Sequence, residues 1–208
     1  MKKVHFVGIG GIGLSALAKY LKQEGYEITG SDIKATKITA GLESLGIPVR
    51  IPHDPECITD QDLVVYSAVI KPDNVELVRA REKGMSIMPR REALLFILKN
   101  RRVFSVCGAH GKSTTSAMLA SMVEGSLVIG AESKQYGSNM YYKEGNNVIF
   151  EADESDESFL NSNPYIAIVT NAEPEHMEYY NYDLDRFYGA YRHFLDSIIT
   201  AWEKISAK

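Results

Sequence analysis

A glycine-rich turn near the amino terminus could bind a diphosphate. Gly8, Gly10 and Gly13 form the pattern G-x-G-x-x-G directly after an apolar segment and at the start of a helical one. Glycines in this pattern let the backbone approach a diphosphate, and the free N–H groups of the helix start favour negative charge. Asp32 follows the next apolar segment, about where dinucleotide-binding folds place an acid on a ribose hydroxyl. This turn therefore predicts a nucleotide site, with a nicotinamide or flavin cofactor as the first candidate ligand.

A second glycine turn, from Gly108 to Thr114, ends as a phosphate-binding loop does. It reads Gly-Ala-His-Gly-Lys-Ser-Thr and lies between a predicted strand and a predicted helix. In such loops the lysine neutralises the β- and γ-phosphates, and the hydroxyl after it ligates Mg²⁺. The spacing differs from G-x-x-x-x-G-K-[ST], because the first glycine of that pattern would fall at Val106. The turn still predicts ATP binding, with Mg²⁺ as the companion ion.

Two further polar segments follow apolar strands in the same half of the chain. The first is the acidic run 151–156, of sequence EADESD, and the second contains Asn171 and His176. Open parallel sheets bind ligands at the carboxyl edge of their strands, and clustered carboxylates there can hold Mg²⁺. A neutral imidazole can ligate a metal or orient a phosphate. An acidic run or a lone histidine usually has no such role, so both assignments depend on the phosphate-binding turn upstream.

The composition is that of an ordinary globular protein. The chain has 208 residues, enough for one large domain or two small ones. Its 23 basic and 27 acidic side chains give a net charge of −4, which argues against binding nucleic acid through bulk positive charge. Cys57 and Cys107 are too few for a disulfide framework or a zinc site, and no apolar run approaches the roughly 18 residues of a membrane span. We therefore expect a cytoplasmic protein without membrane insertion.

The elements that must position these segments alternate between strands and helices. Apolar runs predict strands at 4–7, 26–29, 63–66, 86–88, 103–107, 127–130, 148–152 and 166–170. Helical spacing predicts helices at 14–23, 40–45, 74–83, 91–99, 112–123 and 184–199. The polar break at 100–102 separates two predicted domains. The predicted fold class is α/β, with a Rossmann-like parallel-sheet domain at 1–100 and a P-loop-type ATP-binding domain at 101–208.

In their order along the chain, these motifs resemble those of the Mur ligases of peptidoglycan synthesis. The resemblance rests on residues 8–15, 30–32, 108–114 and 151–156, and on Thr170-Asn171 with His176. It implies that the first domain binds UDP-N-acetylmuramate instead of NAD, and that the second binds ATP and Mg²⁺. The implied reaction transfers the γ-phosphoryl group to the muramate carboxylate. The resulting acyl phosphate is attacked by the amine of L-alanine, and the products are the amide, ADP and phosphate.

The resemblance also implies a role for individual residues. The residues expected to surround the diphosphate are Gly10, Gly11, Ile12, Gly13 and Ser15, with Ser31 and Asp32 on the uridine side. Weaker candidates for the same pocket are His53, Ser67, Ala68 and Arg90. The residues expected around ATP are Gly108, Ala109, His110, Gly111, Lys112, Ser113, Thr114 and Asn171. Ser113 and Glu154 are expected to ligate one Mg²⁺, His176 a second ion, and Lys112, Glu154 and His176 are the expected catalytic groups.

The chain departs from the family pattern at three positions and in its length. Leu14 replaces a common methionine, Ala109 a common threonine, and Glu175 precedes His176 where aspartate is usual. Ala109 removes a hydroxyl near the phosphates and leaves the backbone donors to act alone. A third domain, which in this family contacts adenine and the amino acid, has no counterpart in the 208 residues. We therefore expect an amino-terminal fragment that keeps both nucleotide sites and has little or no turnover.

Two other functions stay open on the sequence. One is the family's recycling ligase, which attaches a peptide to the same sugar nucleotide but usually has a different glycine turn. The other is a nucleotide-sensing module without enzymatic activity, in which the first domain binds NAD. The oligomeric state and the choice between L-alanine, L-serine and glycine are not determined by these motifs.

Overall fold

The computed structural model describes residues 2–155 and 157–206, with side chains as far as residue 198. The chain divides into two compact units, one up to Ala93 and the other from Leu94 onward. Each unit contains a five-stranded sheet with helices between its strands. The predicted α/β fold class is therefore confirmed.

The first unit is built on a fully parallel sheet. Its strands are β1 (Lys3–Val7), β2 (Glu27–Ser31), β3 (Val49–Arg50), β4 (Leu63–Tyr66) and β5 (Ser86–Pro89). Its helices are α1 (Ile12–Gln23), α2 (Lys37–Ser44), α3 (Val75–Glu82) and α4 (Arg90–Ile97), which continues into the second unit. The strand order is β3-β2-β1-β4-β5, so β1 lies at the centre. The order reverses beside β1, and at such a point parallel sheets open a crevice at the carboxyl ends of their strands.

Burial explains why β1 and α1 form where the apolar pattern predicts them. Val4, Phe6 and Val7 of β1 are fully buried, as expected for a central strand covered on both faces. Helix α1 buries Leu14 and Leu21 at helical spacing, together with the residues between them on the same side. This packing holds the end of β1 and the start of α1, and therefore the turn between them, against the sheet.

The second unit is built on a mixed sheet. Its strands are β6 (Arg102–Cys107), β7 (Ser126–Ser133), β8 (Ser138–Tyr141), β9 (Asn147–Glu151) and β10 (Pro164–Val169). Its own helices are α5 (Lys112–Met122) and α6 (Leu184–Ser206). The order is β10-β6-β9-β7-β8, and all neighbours are parallel except β7 and β8. The carboxyl ends of β6, β9 and β10 therefore lie side by side.

Strand β8 is the element that the sequence analysis missed. It lies in a segment rich in glycine and tyrosine, for which no strand was predicted. The Gly137 N–H donates to the Ser133 carbonyl oxygen at 2.8 Å and closes a turn between β7 and β8. Tyr136 and Tyr141 then stack with ring centroids 4.6 Å apart. Cross-strand pairing and ring stacking stabilise this edge strand, although its own sequence lacks a run of apolar residues.

Helix α6 is longer than predicted and packs through aromatic side chains. It continues to Ser206, beyond the predicted end at residue 199. The buried rings of Tyr191 and Phe194 pack against Phe159, with centroids 5.3 and 5.1 Å away, and Phe187 packs against Tyr191 at 5.2 Å. No helix within the described residues is long and apolar enough to cross a membrane.

Candidate functional site

The first glycine turn is held against the end of strand β2. The N–H groups of Gly8 and Ile9 both donate to the Ser31 carbonyl oxygen, at 2.8 and 3.0 Å. The Gly11 N–H donates to the Gly8 carbonyl oxygen at 3.2 Å, which tightens the turn just before α1. Gly8 has φ of +82°, a left-handed conformation that favours glycine. The turn is therefore preformed at the carboxyl edge of the sheet.

The structure brings Asp32 to this turn. The Gly10 N–H donates to Asp32 Oδ2 at 2.8 Å, and the Ile33 N–H donates to Oδ1 at 2.7 Å. A Cβ atom at Gly10 would lie 2.7 Å from Oδ2, so glycine is required for this approach. The carboxylate is thus fixed at the start of the crevice, on the side of β2.

The weaker sequence candidates lie around the same turn. A Cβ atom at Gly13 would lie 2.9 Å from the Arg90 guanidinium, which places that cation against the start of α1. Ser67 follows β4, and its N–H donates to the Val7 carbonyl oxygen at 3.1 Å. Ser15 is buried and its hydroxyl donates to the Ile12 carbonyl oxygen at 2.9 Å. A diphosphate would therefore meet the backbone of this helix start more readily than the Ser15 hydroxyl.

Ser31 and His53 belong to a buried hydrogen-bond network that centres on Glu76. Ser31 Oγ lies 2.8 Å from His53 Nδ1 and 2.5 Å from Glu76 Oε2. His5 Nε2 lies 3.2 Å from the same carboxylate oxygen, and the Asp54 N–H donates to Glu76 Oε1 at 2.8 Å. The sequence analysis missed Glu76 and His5. A histidine inside an otherwise apolar strand, and an acid in the first turn of a helix, were the available signals.

Glu76 is charged although it is buried. Burial opposes the charge, but hydrogen bonds from His5, Ser31 and the Asp54 backbone outweigh it and lower the pKa of the Glu76 carboxyl below its ordinary value. A carboxylate that accepts this many hydrogen bonds is a fixed negative charge next to Ser31 and His53. It therefore constrains which of its neighbours donate and which accept.

The second glycine turn also requires glycine at two of its positions. Gly108 has φ of +125°, and a Cβ atom there would lie 2.6 Å from the Asn171 carbonyl oxygen, at the end of β10. Gly111 has φ of +82° and lies just before α5, with no atom within 4 Å of a hypothetical Cβ. The first glycine therefore allows two strand ends to meet, and the second turns the chain into the helix.

Lys112 and Glu154 form an ion pair at the start of α5. Lys112 Nζ donates to Glu154 Oε1 at 2.9 Å and to the Gly108 carbonyl oxygen at 2.7 Å. The Lys112 side chain is 17% exposed and that of Glu154 is 3% exposed. The structure thus brings together the lysine of the turn and an acid of the 151–156 segment. Asp156 of that segment lies outside the described residues.

Thr170 and Asn171 anchor the middle of the turn. The Asn171 side-chain amide donates to the His110 carbonyl oxygen at 3.0 Å, and the Thr170 hydroxyl donates to the same oxygen at 2.6 Å. His110 itself is largely exposed, with Nε2 3.2 Å from Glu175 Oε1. Asn171 therefore shapes the loop backbone in this state, and His110 faces outward among acidic side chains.

The structure gives His176 different neighbours from those expected of a metal ligand. Its side chain is 54% exposed, and Nδ1 lies 3.7 Å from Glu178 Oε1. Across residues 2–155 and 157–206, no three histidine, cysteine, aspartate or glutamate side chains converge into a metal site. Among the described residues, the ion pair recorded for His176 is to Glu178 and that of Lys112 is to Glu154.

Two carboxylates near the turn nevertheless have the chemistry to bind a cation that arrives together with a ligand. Within the described residues, Glu154 Oε2 and Glu151 Oε2 are buried and have no hydrogen-bond partner. Burial raises the pKa of the Glu151 carboxyl, although hydrogen bonds from the Ser113 side chain and the Gly130 backbone oppose this. Hydroxyl and carboxylate oxygens are the ligands that Mg²⁺ prefers. The donor set at the start of α5 therefore fits Mg²⁺, with open capacity on both acids.

A cavity lies beside the turn, between α5 and β7. Its volume is about 360 Å³, and its lining includes Ser113, Thr114, Met118, Ile129 and Glu132. Polar groups of the turn and apolar groups of the helix therefore face the same space. It can hold part of a ligand next to the hydroxyls that follow Lys112.

Comparison with known families agrees with this arrangement of two sites. The profile described as Mur ligase family, catalytic domain, matches residues 3–102, and the profile described as Mur ligase middle domain matches residues 106–198. The chain belongs to the Mur ligase family. It shows the first two domains of that family, in the order in which their motifs occur along the sequence.

Relatives of known name agree with the family assignment. The chain is 64% identical to UDP-N-acetylmuramate–L-alanine ligase of Campylobacter curvus over 196 residues, which cover 94% of this chain and 45% of that protein. It is 54% identical to the ligase of the same name from Helicobacter pylori, covering 93% of this chain and 43% of that protein. The chain therefore spans less than half the length of these relatives.

Solved structures show the same fold. UDP-N-acetylmuramate-alanine ligase of Thermotoga maritima matches with a TM-score of 0.83 and 36% identity, over 93% of this chain and 47% of that one. The Neisseria meningitides ligase that acts with L-alanyl-γ-D-glutamyl-meso-diaminopimelate matches with a TM-score of 0.84 and 25% identity, over 95% of this chain and 68% of that one. Fold similarity alone does not separate the two ligases, whereas sequence identity favours the alanine ligase.

Proposed function

We propose that the protein containing this chain joins L-alanine to UDP-N-acetylmuramate at the expense of ATP, in the cytoplasmic stage of peptidoglycan synthesis. The observation that carries the proposal is the 64% identity, over 94% of the chain, to a ligase with that name. The two preformed glycine turns support it, because the reaction needs one site for a sugar nucleotide and another for ATP. The peptide-recycling ligase and the NAD-binding module are disfavoured by the same identity.

In the first unit, the uridine nucleotide binds across the turn between β1 and α1. The Gly10–Gly13 backbone approaches the diphosphate, because these glycines leave no side chain between it and the helix start. Arg90 lies against Gly13 and adds positive charge there. Ser31, Asp32 and His53 lie on the β2 side and contact the uridine. Ser67 and Ala68, after β4, border the opposite side of the turn.

In the second unit, ATP binds across the turn between β6 and α5. Lys112 exchanges the Gly108 carbonyl for phosphate oxygens and keeps its charge near the β- and γ-phosphates. Ser113 and Glu154 hold Mg²⁺, and the ion supplies charge neutralisation between the triphosphate and the carboxylate that must approach it. Thr114 and the backbone of Ala109, His110 and Gly111 complete the contacts to phosphate, and Asn171 keeps the loop in shape. We retain His176 as the candidate for a second ion, although it must move to reach it.

The reaction has two steps. An oxygen of the muramate carboxylate attacks the γ-phosphorus and the bond to the β-phosphate oxygen breaks, which gives an acyl phosphate and ADP. The amine of L-alanine then attacks the acyl carbon, loses a proton, and releases phosphate as the amide forms. Lys112 stabilises the charge that develops on the transferring group in the first step.

Calorimetric titration of the 208-residue chain tests this assignment. We expect saturable binding of UDP-N-acetylmuramate, no comparable binding of NAD, and separate binding of ATP with Mg²⁺. A folded chain that binds NAD and ignores the uridine nucleotide would contradict the proposal. With the full-length enzyme, phosphate release on addition of L-alanine, and not of the tripeptide, would separate the alanine ligase from the recycling ligase.

A further inference from the structure

The buried network around Glu76 fixes the direction of each hydrogen bond that it contains. An ionised carboxylate can only accept, so the 2.5 Å contact between Ser31 Oγ and Glu76 Oε2 uses the single hydrogen of the serine hydroxyl. Ser31 Oγ must then accept in its other contact, the 2.8 Å one to His53 Nδ1. When the His53 ring is neutral, its hydrogen therefore lies on Nδ1.

The other contacts of Glu76 keep the carboxylate in this role. The Asp54 N–H donates to Oε1, and His5 donates to Oε2 through Nε2 because a carboxylate offers no hydrogen in return. When the His5 ring is neutral, its Nδ1 accepts from the Thr29 hydroxyl at 2.8 Å. Glu76 and Ser31 are fully buried, so water does not compete for these positions. The buried Glu76 carboxylate therefore determines which atom donates and which accepts in each hydrogen bond as far as His53.

His53 is where this network reaches the surface. Its side chain is 16% exposed, whereas those of His5 and Glu76 are buried. Within the described residues, Nδ1 makes the contact to Ser31 and Nε2 has no hydrogen-bond partner. A neutral ring protonated on Nδ1 carries a lone pair on Nε2. The ring is therefore set to accept a hydrogen bond from a ligand.

We propose that Glu76 is a positioning residue that, through Ser31, holds His53 as a hydrogen-bond acceptor for a donor group of the uridine nucleotide. The donor is an N–H of the base or a hydroxyl of the ribose. This inference rests on the proposed function of the first unit. It adds how the site discriminates between a nucleoside group that donates a hydrogen bond and one that accepts it. The glycine turn does not supply that distinction, because it offers only donors to the diphosphate, and the Asp32 carboxylate already accepts from the Gly10 and Ile33 N–H groups.

The tautomer of His53 provides a direct test. Long-range ¹H–¹⁵N correlation spectra of the chain labelled with ¹⁵N-histidine report which ring nitrogen carries hydrogen, and a His53→Gln variant assigns the signals among the five histidines. We expect the Nδ1–H form for His53 in the unmodified chain. An Nε2–H ring would overturn the proposal. The tautomer is read from the unmodified chain, and the variant serves only to identify which signals belong to His53.

The Glu76→Gln variant tests the connection to binding. A carboxamide has one acceptor oxygen, so it cannot accept from Asp54 on one side and from both Ser31 and His5 on the other. We expect His53 to lose its preference for Nδ1–H and the Kd for uridine 5′-diphosphate to rise at least tenfold. Thr29→Val is the matched control, because it removes one hydrogen bond from the same network but leaves the Glu76–Ser31–His53 path intact.

The outcomes separate this inference from the proposed function. If the folded, unmodified chain does not bind uridine 5′-diphosphate, both the nucleotide site and the role of His53 in it are wrong. If the chain binds it and Glu76→Gln changes neither the tautomer nor the Kd, only the positioning role is wrong. If Thr29→Val has the same effect as Glu76→Gln, the effect comes from a general loss of packing, and the positioning role is overturned.

Discussion

Each glycine turn joins the carboxyl end of a strand to the helix that follows, but the two turns differ in their electrostatics. The turn at Gly8 contains no charged residue of its own, and the Asp32 carboxylate and the Arg90 guanidinium reach it from other segments. The turn at Gly108 contains Lys112, which is paired with the buried Glu154. The first turn therefore depends on backbone geometry, whereas the second depends on balancing a charge pair. Substitutions in the two turns should therefore differ in their effects on stability and on ligand binding.

The largest effect is expected from breaking the charge pair. Lys112→Met leaves Glu154 buried without its cation, which should lower the unfolding free energy by about 3 kcal/mol and abolish ATP binding. Urea denaturation and calorimetric titration measure the two effects. The double variant with Glu154→Gln should recover most of the stability but not the ATP binding. Equal stability of the single and double variants would mean that the pair does not control the second unit.

A smaller effect is expected from adding a methyl group to each turn. Gly108→Ala places Cβ against the Asn171 backbone at a positive φ, so we expect a loss of about 2 kcal/mol. Gly10→Ala places Cβ against the side chains of Asp32 and Thr39 and not against backbone, so it displaces Asp32 from the Gly10 N–H and we expect a loss of about 1 kcal/mol. Thermal unfolding of the two variants compares them directly. The reverse order would contradict the view that the second turn is the more tightly enclosed.

Removing the carboxylate of the first turn should have a modest effect on stability. Asp32→Ala takes the acceptor from the Gly10 and Ile33 N–H groups, which are near enough to solvent to be hydrated instead. We expect a loss of about 1 kcal/mol in urea denaturation, with weaker binding of uridine 5′-diphosphate. A loss as large as that of Lys112→Met would show that the first turn also depends on a charge.

The smallest effects should appear as opposite responses to pH. The pKa of Glu76 is lowered from 4.5, so its contribution is fully present above pH 4.5 and is lost as the pH falls through the folded value. The pKa of Glu151 is raised from 4.5, so its ionisation destabilises the second unit as the pH rises from 4.5 through the folded value. At neutral pH, Glu76→Gln should destabilise and Glu151→Gln should stabilise. Denaturation of both variants at pH 4 and pH 7 provides the measurement, and the same sign for both would refute the contrast.

The alternation of elements was predictable because most strands of both sheets are apolar runs paired in parallel. Strands such as β4, at Leu63–Tyr66, are short apolar runs bounded by polar residues, and their limits can be read from the sequence. Strand β8 was not predictable in this way, because pairing with β7 and the stacking of Tyr136 on Tyr141 stabilise it. Local pattern therefore predicts central strands better than edge strands.

The sites follow the same division between local and distant contacts. The two turns were predictable because glycine spacing and the following helix lie within one segment. Glu76 was not, because its partners His5, Ser31 and Asp54 come from three other segments that meet only in the fold. His176 was assigned by family resemblance, and the structure gives it an exposed position beside Glu178.

The acidic segment that contains Glu154 is tied to a much later part of the chain. The Tyr180 hydroxyl donates to the Glu154 carbonyl oxygen at 2.5 Å, and its ring meets Phe187 of α6 edge to face at 5.0 Å. During synthesis, strand β6 and the glycine turn after it leave the ribosome well before these residues. The loop that contains Glu154 can reach its final form only after Tyr180 has emerged and α6 has docked. The glycine turn after β6 therefore acquires its partner Glu154 in final form only after Tyr180, far downstream of the turn, has been made.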